Sequence, residues 1–159
     1  MVHGLKQVLI IEDSDVKFRE VQRVLAAAAG PDVTSLRAAT IEEANREIAR
    51  GIWRLVILDI SMDIKSSTAG RGAGGHDTTG GLKIAERMFY LEQDAPIVIV
   101  TAFDAFPSGA GRRGSVLGLQ DVVDEASSLL GDLLVGWVRY GEEGWATQLT
   151  DLVRGVLRS

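Results

Sequence analysis

Acidic and hydroxyl residues stand at the ends of three short apolar runs, and they are the residues in this sequence best suited to chemistry. Glu12 and Asp13 follow the first run, Asp59 follows the second, and Thr101 follows the third. Carboxylate oxygens suit a hard cation such as Mg²⁺, and a carboxylate can also act as a nucleophile. The sequence therefore points to metal binding or to a carboxylate nucleophile, provided that the fold brings these residues together.

The three apolar runs predict parallel strands that are buried on both faces, at residues 8–11, 55–58 and 97–100. Weaker patterns predict a strand at 33–36 and a short fifth strand at Val122 and Val123. Helical patterns alternate with the strands, which predicts a parallel sheet with helices on both faces. Such sheets bind ligands outside the carboxyl ends of their strands, so the polar residues named above should share one edge.

The predicted helices carry recognisable faces and caps. The second begins with a capping box, in which Thr40 precedes Glu43 by three residues. The first has an apolar face formed by Val16, Val21, Val24, Leu25 and Ala28.

Two segments are additional to this alternating plan. Residues 63–81 are rich in glycine, lack an apolar period and predict a mobile insertion directly after the Asp59 strand. Residues 127–159 predict an extended helical C-terminus, with helices over 129–138 and 145–157. We predict one domain over residues 1–159.

The composition excludes several classes of function. The chain has 159 residues, a formal net charge of -5 and no dense basic run, so direct nucleic-acid binding is not expected. It has no cysteine and only two histidines, which excludes thiolate metal sites and argues against a Ser/His/Asp hydrolase. No apolar run approaches the length of a membrane helix, so we predict a cytoplasmic protein without membrane contact.

At residues 8–14, 58–62 and 101–102, the sequence resembles the receiver domains of response regulators. The first string is similar to the family's first strand and acidic pair, the second to its acceptor strand, and the third to the end of its fourth strand. The resemblance implies a flavodoxin-like, doubly wound α/β fold. Its five-stranded parallel sheet would have the order 2-1-3-4-5, with helices on both faces.

The resemblance also implies a function and a site. Asp59 would accept a phosphoryl group from a histidine kinase or phosphotransfer protein, and Thr101 would hydrogen-bond a phosphoryl oxygen. Mg²⁺ would bind weakly to Asp13, Asp59 and the backbone carbonyl of Ser61, with Glu12 acting through water. The phosphorylated domain would signal through contacts with a downstream protein, without being an enzyme.

Some positions depart from the family pattern. Receivers carry a lysine just after the fifth strand and an aromatic residue three positions before it. With the fifth strand predicted at 122–123, these positions fall on Glu125, which would repel a phosphoryl group, and on Val122. After the methionine of the acceptor loop, the family often has a proline, and Asp63 stands at that position. Nearby cations that could replace the lysine are Lys65, Arg71, Arg112 and Arg113.

Two other functions stay open. A pseudo-receiver would keep the fold and act as a protein-interaction module without phosphorylation, as Glu125 and Val122 favour. A phosphatase-type enzyme with an aspartyl nucleophile is the third possibility, because residues 59–63 are similar to the acidic motif of haloacid-dehalogenase-like phosphatases. A C-terminal apolar stripe is expected to pack on the chain's own sheet; its members are Trp137, Trp145, Val153 and Leu157.

Overall fold

The computed structural model describes residues 5–61, 80–102, 105–107 and 116–158, in which strands alternate with helices. The strands are β1 (Lys6–Ile11), β2 (Val33–Ala38), β3 (Leu55–Leu58), β4 (Ile97–Thr101), β5 (Ala105–Pro107), β6 (Val116–Gly118) and β7 (Leu134–Arg139). The helices are α1 (Asp15–Ala29), α2 (Ile41–Ile48), α3 (Gly80–Tyr90), α4 (Leu119–Leu130) and α5 (Trp145–Leu157), with a 3-10 turn at Gly131–Leu133.

Five of these strands form one parallel sheet in the order β2-β1-β3-β4-β7. Counted along the chain, the strands of this sheet alone have the order 2-1-3-4-5. The predicted doubly wound, flavodoxin-like fold is therefore confirmed. The remaining strands, β5 and β6, pair antiparallel as a separate two-stranded ribbon.

Helices cover both faces of the sheet because a strand sends alternate side chains to opposite sides. From β1, Val8 and Ile10 pack with residues of α1 and α5. Leu9 and Ile11 pack with residues of α2 and α3 on the other face. A third apolar cluster joins α4 to Ile99 of β4. The core thus occupies both faces, and the ends of the strands are left for polar residues.

The fifth strand of the sheet lies later in the chain than the sequence pattern predicted. Val122 and Val123 are buried in α4, and the predicted helix over 129–138 was wrong, because α4 ends at Leu130 and β7 occupies residues 134–138. The two valines belong to an apolar stripe at helical spacing, which outweighs a β-branched pair. As an edge strand with half-exposed side chains, β7 lacks the continuous apolar run of a central strand.

The glycine-rich insertion predicted at 63–81 ends earlier than expected. Gly80 and Gly81 already form the first turn of α3, and both are buried. The rest of the predicted insertion, residues 63–79, lies outside the described residues, and its mobility stays a prediction.

The predicted starts of the helices are borne out in detail at α2. The Thr40 hydroxyl accepts a hydrogen bond from the Glu43 N–H at 3.1 Å, and the Glu43 carboxylate accepts one from the Ala39 N–H at 2.7 Å. The first bond satisfies a backbone donor that the first helical turn leaves without a helical partner. The second ties Glu43 to the residue before the N-cap.

The C-terminal helix is confirmed as predicted, and it packs on this chain's own sheet. Val153 and Leu157 of α5 are buried in the cluster that contains β1 and α1, and Trp145 packs beside them. Trp137 was predicted in a helix but lies in β7, where it is 37% exposed. Among the described residues, no helix combines the length and the apolar character needed to cross a membrane.

Candidate functional site

The carboxyl ends of β1, β3 and β4 meet at one edge of the sheet. Ile11 pairs with Leu58 and Leu58 pairs with Ile99, so the residues that follow these strands are neighbours. One carboxylate oxygen from each of Glu12, Asp13 and Asp59 lies within 4.8 Å of the other two; we call these three residues the acidic cluster. The structure thus brings the predicted acidic residues together.

Asp59 is buried at this edge, with 3% of its surface exposed. Its N–H donates to the Ile11 carbonyl at 3.0 Å, which ties it to the end of β1. Its Oδ1 accepts hydrogen bonds from the Ser61 N–H at 3.0 Å and the Ser61 hydroxyl at 2.7 Å. Ser61 therefore orients the carboxylate, a role that the sequence did not suggest. Metal ligation by the Ser61 carbonyl stays a prediction.

Lys17 of α1 reaches into the acidic cluster. Its Nζ lies 2.8 Å from Glu12 Oε1 and 3.2 Å from Asp59 Oδ1, and it donates to the Val100 carbonyl at 2.8 Å. The side chain is 5% exposed. An ammonium group has three N–H donors, so these contacts account for all of them.

Sequence reasoning missed Lys17, although a signal was present. Lys17, Val21 and Leu25 are spaced by four and form the buried face of α1. The predicted apolar face used Val16 instead, and Val16 is 63% exposed. A lysine at a core position of an amphipathic helix indicates a buried anionic partner, because an unpaired buried charge is very costly.

Tyr140, directly after β7, forms one wall beside Lys17. Its N–H donates to the Thr101 carbonyl at 2.9 Å, and its ring centroid lies 5.6 Å from Lys17 Nζ, within cation–π range. Its hydroxyl donates to the Glu20 carboxylate. That hydrogen bond, aided by burial, raises the pKa of Tyr140 to about 12. The neutral ring is therefore a fixed neighbour of the lysine at physiological pH.

Lys17 only partly offsets the cost of burying the carboxylates of the acidic cluster. Burial raises the pKa of Glu12 to about 8, and the adjacent charge of Asp59 adds to the rise, whereas Lys17 lowers it. The raised pKa of Glu12 shows that the ammonium of Lys17 does not fully offset the desolvation of Glu12 and its repulsion by Asp59. A second cation would be favoured here.

Thr101 contributes a buried hydroxyl at the end of β4. The residue is 0% exposed, and its Oγ1 has no hydrogen-bond partner in the described part of the chain. Buried polar groups are nearly always satisfied, so an unpaired hydroxyl at a ligand-binding edge indicates a place for a bound acceptor or donor.

The fifth strand of the sheet is β7 and not residues 122–123, so other residues stand at the family's lysine and aromatic positions. Glu125 is exposed on α4 and does not follow a strand, so its predicted position directly after the fifth strand was wrong. The residue directly after the fifth strand is Tyr140, and the residue three positions earlier is Trp137, an aromatic. Asp63 and the four candidate cations lie outside the described residues; the cations are Lys65, Arg71, Arg112 and Arg113.

Gly81 allows α3 to approach the backbone of Asp59 and Ile60, directly after β3. Its N–H donates to the Ile60 carbonyl at 3.1 Å. A Cβ at this position would lie 2.3 Å from Ile60 Cα and 2.5 Å from the Asp59 carbonyl oxygen. Only glycine fits against this backbone, so Gly81 helps to position Asp59.

No protein-family model and no curated protein matches the sequence. Solved structures match it over nearly the whole chain. A CheY-like response regulator receiver domain protein from Methanospirillum hungatei is 15% identical with a TM-score of 0.64, covering 98% of this chain and 95% of that chain. The response regulator domain of Thermotoga maritima CheB is 13% identical with a TM-score of 0.63, covering 98% of both chains. This chain has the fold of receiver domains.

The likeness of the receiver fold extends to a two-component response regulator of the LuxR family from Aurantimonas sp.. The two chains are 15% identical with a TM-score of 0.65, and the match covers 98% of this chain and 86% of that chain. In this fold the acidic cluster occupies the edge where doubly wound sheets bind ligands. The architecture predicted from the resemblance is confirmed.

The donors at this edge of the receiver fold suit Mg²⁺. The acidic cluster supplies oxygen ligands from three carboxylates, the type of ligand that Mg²⁺ prefers, and the unpaired Thr101 hydroxyl lies at the same edge. Lys17 shares two of the carboxylates, which lowers the net charge available to a metal. The residues therefore fit a weakly held divalent cation.

We expect millimolar Mg²⁺ to raise the melting temperature of the wild-type protein and to have a smaller effect on Asp13→Asn. Asp13 is the exposed member of the acidic cluster, so its removal should weaken the metal with little loss of core packing. The matched control is Asp132→Asn, since Asp132 is an exposed carboxylate just before β7, at the opposite edge of the sheet. Equal Mg²⁺ responses of Asp13→Asn and the wild type would contradict the metal assignment.

Proposed function

We propose that this chain is a phospho-signal receiver module, in which Asp59 accepts a phosphoryl group from a histidine kinase or phosphotransfer protein. A downstream protein would then read the phosphorylated state. The observation that carries this proposal is a buried Asp59 carboxylate, grouped with Glu12 and Asp13 at the ligand-binding edge of a receiver fold. The unpaired Thr101 hydroxyl on the adjacent strand supports it.

The chemistry uses the residues already at this edge. A carboxylate oxygen of Asp59 forms a bond to phosphorus while the P–N bond of the phosphohistidine breaks. The leaving imidazole nitrogen keeps the electron pair of that bond and takes up a proton. The product is an acyl phosphate on Asp59, with Thr101 placed to donate a hydrogen bond to a phosphoryl oxygen.

Mg²⁺ would be held by Asp13, Asp59 and the Ser61 carbonyl, with Glu12 acting through water. When bound, it would neutralise charge on the phosphoryl oxygens. Ser61 keeps the Asp59 carboxylate oriented through its N–H and hydroxyl. The burial of Asp59 limits the access of water to the acyl phosphate.

A phosphorylation-independent pseudo-receiver is the second candidate, and a specific observation favours it. Tyr140 stands directly after the fifth strand, where the family carries a lysine. A module of this kind would keep the receiver fold as a protein-interaction surface and would not form the acyl phosphate. We propose no enzymatic turnover for either candidate.

Intact-mass measurement after incubation with acetyl phosphate and Mg²⁺ tests the proposal. We expect the wild type to gain the mass of one phosphoryl group and Asp59→Asn to gain none, because the nucleophile is removed. Glu125→Lys should label like the wild type, since Glu125 is exposed on α4. An unlabelled wild type would favour the pseudo-receiver, and steady hydrolysis of a generic phosphate monoester would indicate the phosphatase-type enzyme.

A further inference from the structure

We propose that Lys17, in the first turn of α1, is the cation that pairs with the phosphoryl group on Asp59. The inference rests on the proposed function and adds to it a residue that the predicted site did not include. A receiver that lacks a lysine after its fifth strand would thus obtain the same charge from a different element. The juxtaposition that carries the inference is the contact of Lys17 Nζ with Asp59 Oδ1 at 3.2 Å.

The change in charge at Asp59 creates the need for such a cation. Forming the acyl phosphate replaces a carboxylate of charge −1 with a phosphoryl group that is dianionic when fully ionised. The new charge lies beside Glu12 and Asp13, and repulsion between buried like charges is strong. A cation already in contact with Asp59 needs only a small movement to follow the charge onto the phosphoryl oxygens.

Other described cations at this edge form no ion pair with Asp59. Arg37 donates from Nε to the Glu12 carbonyl at 3.0 Å and pairs with Asp15 at 2.7 Å. Arg139 pairs with Thr101 in the sheet; its side chain is 38% exposed, and its Nε lies 4.0 Å from Glu142 and forms no hydrogen bond with the described residues. Among the described residues, Lys17 is the cation that forms an ion pair with Asp59.

The position of Lys17 is held from several sides, so its ammonium is directed into the acidic cluster before any phosphoryl group arrives. Its backbone N–H donates to the Ser14 hydroxyl at 3.3 Å, and the Ser14 N–H donates to the Glu12 carboxylate at 3.1 Å. The Val100 carbonyl and the Tyr140 ring hold the ammonium end. Preorganised charge of this kind stabilises a developing anion without reorganisation at the moment of reaction.

Tyr140 offers a way to separate charge from packing. Tyr140 lies directly after β7, and its ring is beside Lys17 Nζ. The variant Tyr140→Lys would therefore bring an ammonium group to the same site from β7. If a cation is what the site needs, Tyr140→Lys should restore function to a variant that lacks Lys17. A purely structural role of Lys17 on α1 would not be restored in this way.

The experiment measures the rate of phosphoryl incorporation from acetyl phosphate with Mg²⁺, by intact mass, in folded variants checked by circular dichroism. We expect Lys17→Met to label roughly 100-fold more slowly than the wild type, the size of effect seen when one preorganised donor is removed. Lys17→Met/Tyr140→Lys should regain most of the rate. Lys83→Met, which removes an exposed lysine from α3, should label like the wild type.

The outcomes distinguish this inference from the proposed function. Equal labelling of the wild type and Lys17→Met would overturn the inference and leave Asp59 as the acceptor. No labelling of the wild type would overturn the proposed function and the inference with it. If Lys17→Met does not fold, the double variant Glu12→Gln/Lys17→Met replaces it, because this variant loses both charges of the pair. Its rate of phosphoryl incorporation is compared with the rate of Glu12→Gln. Equal rates of these two variants would also overturn the inference.

Discussion

Replacing Gly81 by alanine is expected to lower the free energy of unfolding by about 3 kcal/mol, at the upper end of what overpacking usually costs. The added methyl group would lie 2.3 Å from Ile60 Cα and 2.5 Å from the Asp59 carbonyl oxygen, and both are backbone atoms that cannot rotate away. The first turn of α3 would have to move away from the backbone of Asp59 and Ile60. Urea denaturation followed by circular dichroism measures the change.

Gly155→Ala is the matched control for this substitution. Gly155 also lies in a helix, α5, and no described atom lies within 4 Å of a Cβ built on it. Since alanine is the better helix former, we expect Gly155→Ala to be about 1 kcal/mol more stable than the wild type. A wild-type stability for Gly81→Ala would show that α3 does not pack against Asp59 and Ile60 as described.

Lys17→Met is expected to cost about 3–5 kcal/mol of unfolding free energy in metal-free buffer, the cost of removing one partner from a buried ion pair. Lys17, Glu12 and Asp59 are each at least 95% buried, so the two carboxylates would be left without their counter-ion. Chemical denaturation at pH 9, above the raised pKa of Glu12, with a chelator present measures this cost.

A double-mutant cycle with Glu12→Gln isolates the interaction between the two charges. We expect Glu12→Gln/Lys17→Met to lose less stability than the sum of the single variants, because the double variant has one buried charge fewer than Lys17→Met. Strictly additive losses would mean that Lys17 and Glu12 do not interact as their 2.8 Å separation requires.

The central strands and their polar ends were predictable from the sequence. The runs at 8–11, 55–58 and 97–100 are short, continuous and β-branched, and such runs are typical only of strands buried on both faces. Because strands of a parallel sheet point the same way, their carboxyl ends meet at one edge wherever the strands are neighbours. The grouping of Asp13 and Asp59 followed from these two facts.

The edge strand was not predictable in the same way. Val122 and Val123 look like a strand when read alone, and they are buried by α4 because neighbours at helical spacing share their face. The sequence of β7, Leu-Val-Gly-Trp-Val-Arg, has no apolar/polar alternation, and Gly136 breaks its apolar run, so the local pattern does not identify a strand. That misplacement also assigned Glu125 to the site.

The sequence by itself therefore determined the fold class, the central strands and the acidic residues at their ends, because these depend on local pattern and the direction of the chain. Only the tertiary structure decided which cation meets those carboxylates and why Gly81 begins α3. Lys17 and Asp59 are 42 positions apart along the chain, and their contact exists only because α1 packs beside the ends of β3 and β4. Helical spacing indicates that Lys17 is buried, but no local pattern names the residue of another element that it contacts.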